Sequence, residues 1–446
     1  MCGLAELLHV QGIAVSGSDL REGPTVARLR ALGVEVFLDH DAPQVGDADV
    51  VVISSAVPDA NPEVMEARRR EIPVVPRAEL LAEIMRHKEG IAVAGTHGKT
   101  TTTSLVAHVL EVAGFDPTAV IGGRVRGSGA DPTGARLGRG ELLVAEADES
   151  DGSFLGLSPV VSIITNIEAE HLDHYGDEAN VRDAFVAFAN RVPFFGLCVL
   201  CLDDPGVQAT LPRITRPTLT YGFATQADLV AAEVEPYQGG MRFHARLRDE
   251  RLGAIHLTLP GRHNVQNALA ALAVALEFDV PFSLAAEAME SFRGVERRFE
   301  TKGSSGGIRI VDDYAHHPTE IRATLEAARG IHSGRIVAVF QPHRFTRTRD
   351  HLDAFATAFH DADLLVITDV YAAGEEPIPG CDAAHLCEAV RAHGHRAVSH
   401  IAELSDVPAA LIPALRAGDL VITFGAGSIT NLGPDLLQSL AERETC

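Results

Sequence analysis

Tryptophan is absent from the 446 residues, and aromatic residues make up only 5% of the chain. Lysine is nearly absent too. Lys88, Lys99 and Lys302 are the only ones among 38 basic residues, the rest being arginine. Positive charge as a whole is scarce, and the formal net charge of −23 leaves no basic stripe to displace the counterions of a nucleic acid. Nucleic acid is therefore not expected as a partner. No apolar run approaches the ~18 residues of a membrane span, so membrane insertion is not expected. The six cysteines are scattered. Cys198 and Cys201 form a C-x-x-C inside the apolar run 194–202, but no second pair completes a zinc site, and a buried strand with inert thiols is the better reading. Nothing in the sequence reads as a signal peptide, and a reducing cytoplasm is the expected location.

What is present describes ordinary globular cores: 46% hydrophobic and 22% charged residues. The length suggests about three domains. One of the three lysines stands in the run Ala92-Val-Ala-Gly-Thr-His-Gly-Lys-Thr-Thr-Thr-Thr-Ser104. An apolar strand, 91–94, feeds a turn bracketed by Gly95 and Gly98, and Lys99 with four threonines then opens a helix. Backbone amides, a helix N-terminus and one compact ammonium would surround a single point, which suits a polyphosphate. Arginine serves almost everywhere else, so a lysine here marks a site that wants a point charge. The loop is a shortened P-loop, because Val93 stands where the strict pattern has its first glycine. A glycine-rich turn without a ligand is the alternative.

Short helices and apolar strands alternate over residues 1–88, with strands read at 13–16, 34–37, 50–54 and 74–75. Asp19 follows the first of these, where doubly wound folds put an acid near a ribose. Residues 1–9 already read as a helix. A second α/β unit runs from 89 to about 295. Within it, 218–221, 230–235 and 241–247 alternate as a small antiparallel patch turned by Gly239-Gly240. From 296 to 446 the strand–loop–helix rhythm returns, with strands at 308–311, 336–340, 364–367 and 420–424.

Polar clusters follow several strands. Residues 141–151 are a strand ending in Glu146 and further acids, the position from which a nucleotide's magnesium is held. The strand 160–165 leads to His171. In a parallel sheet these ends open on one edge, so that Thr100, Glu146 and His171 could face one polyphosphate; a solvated acidic loop and a plain loop histidine are the alternatives. Asn264 and Asn267 stand three apart at the start of an apolar helix, with Asn264 a plausible N-cap. Asp313 and His317 follow one strand of the third unit. His343, Arg344, Arg347 and Arg349 follow the next and make an anion clamp suited to a carboxylate or phosphate. Cations at a helix N-terminus are electrostatically awkward, which favours a functional reason for them.

Together these segments resemble the Mur ligase family of peptidoglycan synthesis. The resemblance rests on eight ordered motifs: 95–103, Glu146 to Phe154, 165–168, His171 to Asp173, 261–267, Arg297-Arg298-Phe299, 312–320 and Gly425-Ala-Gly427. Segment 340–348 looks like the alanine-adding branch rather than the branch that recycles an intact tripeptide. The resemblance implies an α/β protein of three domains: a Rossmann-like UDP-sugar domain at 1–88, a P-loop ATPase-type domain at 89–295, and a Rossmann-like amino-acid domain at 296–446. It implies an ADP-forming amide ligase with ATP, Mg²⁺ or Mn²⁺, UDP-N-acetylmuramate and L-alanine, working through an acyl phosphate as a monomer or homodimer, with domain motion.

By the same resemblance, Gly95, Thr96, His97, Gly98, Lys99, Thr100 and Thr101 hold the phosphates, and Asn264, Asn267, Arg298 and Asp313 serve the nucleotide. Thr100, Glu146 and His171 ligate metal, with Lys99, Glu146, His171 and Arg298 catalytic. Ser54, Ser55, Asn61, Gly122 and Gly123 line the UDP-sugar path, and His317, His343, Arg344 and Arg347 meet the amino acid and the sugar-linked anion. Two departures stand out. Glu170 replaces the usual Asp before the ligand histidine. The family also carries a strand and glycine loop immediately before the helix at residue 1, so the expectation is a natural start roughly 15–20 residues upstream. A sister ligase, or a nucleotide-binding homologue impaired at its N-terminus, are the competing readings.

Overall fold

In a computed structural model, residues 1–54, 57–125 and 133–445 are described. The chain gathers into two compact units. The first comprises 1–233, 243–255 and 266–292, and the second 234–242, 256–265 and 293–446.

The first unit begins with helix Cys2–Val10, whose Leu4 and Leu7 are buried. Strands β1 (Ser16–Ser18) and β2 (Glu35–Phe37) pair in parallel, as do β3 (Val51–Ile53) and β4 (Val74–Pro76), in two separate two-stranded sheets. Strands β1, β2 and β3 are shorter than the apolar runs suggested: β1 begins only at Ser16, and Ile13 is 49% exposed. Helix Pro24–Ala31 covers the first pair through Val26 and Leu29, which pack with Val34 and Val36.

The strands that follow are β5 (Glu89–Ala94), β6 (Thr118–Val125), β7 (Thr133–Arg136), β8 (Leu142–Glu146), β9 (Val161–Ile164), β10 (Leu197–Cys201), β11 (Thr218–Gly222), β12 (Leu229–Tyr237), β13 (Gly240–Leu247) and β14 (Glu250–Leu257). They form one ten-stranded sheet in the order β14-β13-β12-β11-β10-β9-β5-β8-β6-β7. Two sequence expectations need correcting here. Strand β11 runs parallel to both β10 and β12, so 218–221 belongs to the parallel sheet and not to an antiparallel patch. The hairpin turn is Gln238-Gly239, not Gly239-Gly240; both residues take positive φ (49° and 83°), which brings the strands back in the twist that a two-residue turn favours. Cys198 and Cys201 lie in fully buried β10 as free thiols, in line with the inert reading.

Strand β5 has parallel neighbours on both sides, β8 and β9, with Val93 opposite Glu146 and Ala94 opposite Ile164. Five of its six residues are buried, the apolar run expected of a strand covered on both faces. The carboxyl ends of β8, β5 and β9 are therefore adjacent on one edge.

The second unit holds β15 (Glu300–Ser305), β16 (Ile308–Asp313), β17 (Ile336–Phe340), β18 (Leu364–Ile367), β19 (Val398–His400) and β20 (Leu420–Phe424), in the order β15-β16-β20-β17-β18-β19. Only β15 is antiparallel, joined to β16 by Gly306-Gly307 with both residues at positive φ. Alternating small and polar residues hid β15 from a hydrophobic reading. Strand β17 is fully buried between β20 and β18, so the loops after all three meet at one edge. Among the described residues no helix is long and apolar enough to cross a membrane.

Candidate functional site

The turn after β5 is built on backbone that other residues cannot share. Gly95 has φ +131° and Gly98 φ +81°. A Cβ on Gly95 would enter the space of the Thr165 hydroxyl, and one on Gly98 would come within 2.8 Å of Asn267 Oδ1. The loop following β9 grips the turn from outside. The His97 amide donates to Asn166 Oδ1 (2.7 Å), Asn166 Nδ2 and the Thr165 hydroxyl donate to His97 O (3.1 and 2.6 Å), and the Thr96 amide donates to Asn166 O. Glu168 lies 3.4 Å from the His97 ring.

Helix Lys99–Val112 starts at the turn. Its first intrahelical bond runs from Thr102 N to Gly98 O, so the amides of Lys99, Thr100 and Thr101 precede the ladder and offer donors at the positive end of the helix dipole. Thr102 donates to Asn267 Oδ1 (3.1 Å).

Lys99 folds over the turn. Its Nζ donates to Gly95 O (2.6 Å), Thr96 O (3.1 Å) and Glu149 (2.9 Å). Burial alone would lower the ammonium's pKa, but Glu149, Asp148 and Glu146 outweigh it and hold Lys99 above its ordinary value. Burial pushes the Glu149 carboxyl up against the pull of Lys99; the two trends oppose, and the 2.9 Å contact favours the ionised pair. The Thr100 hydroxyl donates to Glu146 Oε1 (2.5 Å), and Glu146 Oε2 accepts from the Gly122 amide. His171, at φ +57°, brings Nε2 to 3.9 Å from Glu149 and 3.6 Å from Glu170. Tyr175 donates to Glu149 O (2.5 Å). Lys99, Thr100, Glu146 and His171 thus gather at the β8–β5–β9 edge, joined by a residue not singled out from the sequence, Glu149. Nothing in the spacing of the four acids from 146 to 151 says which one turns inward.

Other candidates have clear local duties. Asn61 caps helix Pro62–Arg69, its Oδ1 accepting from Glu63 N (2.9 Å) and Val64 N (3.4 Å). Ser54 sits just after β3, and Ser55 and Ala56 lie outside the described residues. Gly122 and Gly123 lie on β6. Asp19 accepts from the Arg21 amide, and beside it Ser18, His40 and Glu63 form a hydrogen-bonded cluster at the carboxyl ends of β1 and β2.

In the second unit, the expectation that Asn264 caps its helix is overturned. The helix begins at Arg262, two residues before Asn264, because Gly261 turns the chain there with φ +95°, and Asn264 Nδ2 donates back to Pro260 O (2.7 Å). Asp313 accepts from the Phe299 and Ala315 amides (2.7 and 2.8 Å). Burial pushes its carboxyl up to about 6, against Arg298 and those amides, with Glu320 adding to the rise. The Arg297 and Arg298 guanidiniums both lie over the Tyr314 ring, at 4.8 and 5.2 Å. His317 caps helix Pro318–Ile331 in a capping box with Glu320. Arg347 reaches His343 O (3.3 Å) and its ring (3.4 Å). Burial and the charges of His316, Arg347 and Arg344 push His343 down to about 4, so its imidazole is neutral at physiological pH.

Known proteins share this arrangement from end to end. Residues 1–89 match the Mur ligase family catalytic domain, 93–275 the Mur ligase middle domain, and 297–427 the Mur ligase glutamate ligase domain. The UDP-N-acetylmuramate–L-alanine ligase of Anaeromyxobacter dehalogenans strain 2CP-C is 53% identical over 443 residues, 99% of this chain and 96% of that one. The enzyme of the same name from Myxococcus xanthus is 54% identical over 440 residues, 99% and 93% of the two chains. The chain belongs to the Mur ligase family. Among solved structures, this Mur ligase is similar to UDP-N-acetylmuramate–alanine ligase from Thermotoga maritima (TM-score 0.84, 29% identity, 100% and 97% of the chains). It is also similar to a murein peptide ligase from Psychrobacter arcticus (TM-score 0.71, 25% identity, 98% and 96%).

The residues present in this Mur ligase fit a bound nucleotide and a divalent cation. Two glycines without room for a Cβ, three first-turn amides and one ammonium are the features of a turn that suits phosphate. The Thr100 hydroxyl, the Glu146 carboxylate and the His171 imidazole at this edge are of the chemical kinds that hold a divalent cation; oxygens suit magnesium, and an imidazole suits manganese as well.

Proposed function

We propose that this chain joins L-alanine to the carboxylate of UDP-N-acetylmuramate at the expense of ATP. Residues 1–88 would receive the UDP-sugar, 89–295 the ATP and 296–446 the amino acid. The support is the meeting of Thr100 with Glu146, and of Lys99 with Glu149, at one phosphate cradle, in a chain 53% identical over nearly its whole length to a ligase of that name.

In this reading a carboxylate oxygen of the sugar nucleotide attacks the γ-phosphorus, the bond to the β-phosphate oxygen breaks, and ADP leaves an acyl phosphate. The amine of alanine, having lost a proton, then attacks the acyl carbon and expels inorganic phosphate from a tetrahedral intermediate. Both partners of the first step are anionic. Lys99 screens one side of that repulsion by leaving the Gly95 and Thr96 carbonyls for phosphate oxygens. Magnesium or manganese on Thr100, Glu146 and His171 would supply further neutralisation of the γ-phosphate. Arg344 and Arg347 would hold the alanine carboxylate. Neutral His343 adds no third cation beside the two guanidiniums.

A tripeptide-recycling activity is the second reading, favoured by the similarity to the murein peptide ligase. Phosphate release measured with ATP and UDP-N-acetylmuramate separates the two. Strong stimulation by L-alanine and little by L-alanyl-γ-D-glutamyl-diaminopimelate is expected; no response to L-alanine would sink the assignment. The cytoplasm, where ATP and UDP-sugars reside, is the proposed place of action.

A further inference from the structure

The loop after β18, Asp369 to Glu375, carries no role in the chemistry above, yet it touches the anion clamp at several points. The Arg344 amide donates to Tyr371 O (2.9 Å), and the Tyr371 amide donates to Pro342 O (2.8 Å). Arg344 itself has φ +72° and ψ 137°, a conformation a side-chain-bearing residue holds only when its surroundings impose it. The Tyr371 ring lies nearly parallel to the His343 ring, 5.5 Å between centroids and 11° between planes. Behind it the loop after β20 makes room, since a Cβ on Gly427 would come within 2.7 Å of the Tyr371 ring. At the far end, Glu375 binds the helix that carries the arginines. It accepts from the Thr346 amide (3.0 Å) and the Thr346 hydroxyl (2.6 Å), at the first turn of helix Phe345–Asp350, which has no cap of its own. Ala373 and Gly374, at φ +50° and +91°, fold the loop so that the tyrosine and the glutamate reach the clamp together.

We infer that Tyr371 and Glu375 are positioning residues for L-alanine recognition: the tyrosine sets the His343 ring, and the glutamate fixes the first turn of the helix that follows Arg344 and bears Arg347. Glu375 remains ionised for this task; burial opposes its charge, but the Thr346 hydroxyl, the Thr346 and Phe345 amides and Arg344 together hold its carboxyl below the usual range. The inference rests on the clamp being the alanine-carboxylate site.

Steady-state kinetics on the full chain test both layers. Arg347→Ala should raise the KM for L-alanine at least about a hundredfold, as expected for loss of a carboxylate's charged partner. Glu375→Ala should raise it about tenfold, the loss of roughly one charge-assisted hydrogen bond, and leave the KM values for ATP and UDP-N-acetylmuramate within about twofold. Glu375→Gln, which keeps an acceptor oxygen, should recover most of the difference. Tyr371→Phe should behave as the parent, while Tyr371→Ala should follow Glu375→Ala. Should Glu375→Ala fail to fold, Thr346→Val removes one of the same two bonds and should raise the alanine KM about threefold. If Arg347→Ala leaves the alanine KM unchanged, the clamp reading falls. If Arg347→Ala raises it while Glu375→Ala does not, or Glu375→Ala raises all three KM values together, the positioning role is overturned and the clamp stands.

Discussion

Replacing Glu149 by glutamine probes what Lys99 does before ATP arrives. The Glu149 side chain is 3% exposed and lies 2.9 Å from the Lys99 ammonium, which also has the Gly95 and Thr96 carbonyls at 2.6 and 3.1 Å. Breaking a buried ion pair outright costs about 3–5 kcal/mol. Glutamine keeps an acceptor and Lys99 keeps two carbonyls, so the loss should approach the difference between a charged and a neutral hydrogen bond, about 1–2 kcal/mol. When Lys99 turns to phosphate, the parent gives up its contact with Glu149 and the variant has less to give up. Glu149→Gln should therefore lower the melting temperature of the nucleotide-free protein and show a larger stabilisation by saturating ATP than the parent does. By mass action, the same 1–2 kcal/mol would tighten the ATP Kd by roughly 5- to 30-fold. Differential scanning fluorimetry across an ATP titration reads both quantities. An equal melting deficit with and without ATP would refute the idea that Lys99 changes partners.

Thr100→Val deletes the hydroxyl that donates to Glu146, and should cut alanine-dependent phosphate release by about two orders of magnitude or more with no rescue by raised magnesium. Gly95→Ala pushes a Cβ toward Thr165 from a backbone at φ +131°; it should cost about 1–3 kcal/mol of stability and abolish ATP binding in calorimetry. Asp313 carries a pKa of about 6 in the fold against 3.8 otherwise, so the folded state binds its proton more tightly. Its contribution is fully present below pH about 4 and is lost as pH rises through about 6, a swing of roughly 3 kcal/mol. Urea midpoints of parent and Asp313→Asn should diverge progressively between pH 4 and 6, with the parent losing ground, and parallel curves would refute the assignment. Cys198 and Cys201 are buried, and burial pushes the Cys201 thiol up to about 12; neither should react with an aromatic disulfide reagent at pH 8 before unfolding.

Much of this Mur ligase was legible before any coordinates. The strand–turn–helix around Lys99 is a local matter: two glycines, a lysine and a run of threonines allow few other conformations, and their order alone points to phosphate. The apolar strands β5, β9, β10, β17, β18 and β20 announced themselves because strands covered on both faces must be apolar at nearly every position. Polar and short elements gave no such signal. Strand β15 escaped notice because it lies at a sheet edge and carries small and polar residues, and the parallel direction of β11 depends on its neighbours, not on its own residues.

The identity of the acid facing Lys99 was beyond the sequence as well. Four acids crowd the end of β8, and only the path of the chain after Glu146 turns Glu149 inward while Glu146 meets Thr100. The same holds in the second unit, where Tyr371, Glu375 and Gly427 are far from His343 in sequence. They meet it because β17 pairs with β18 on one side and β20 on the other, which brings three loop ends to a single edge. Sequence fixes what a short stretch of backbone can do by itself; which distant side chains share a point is decided when strands pair, because register and neighbour order come from burying whole faces together.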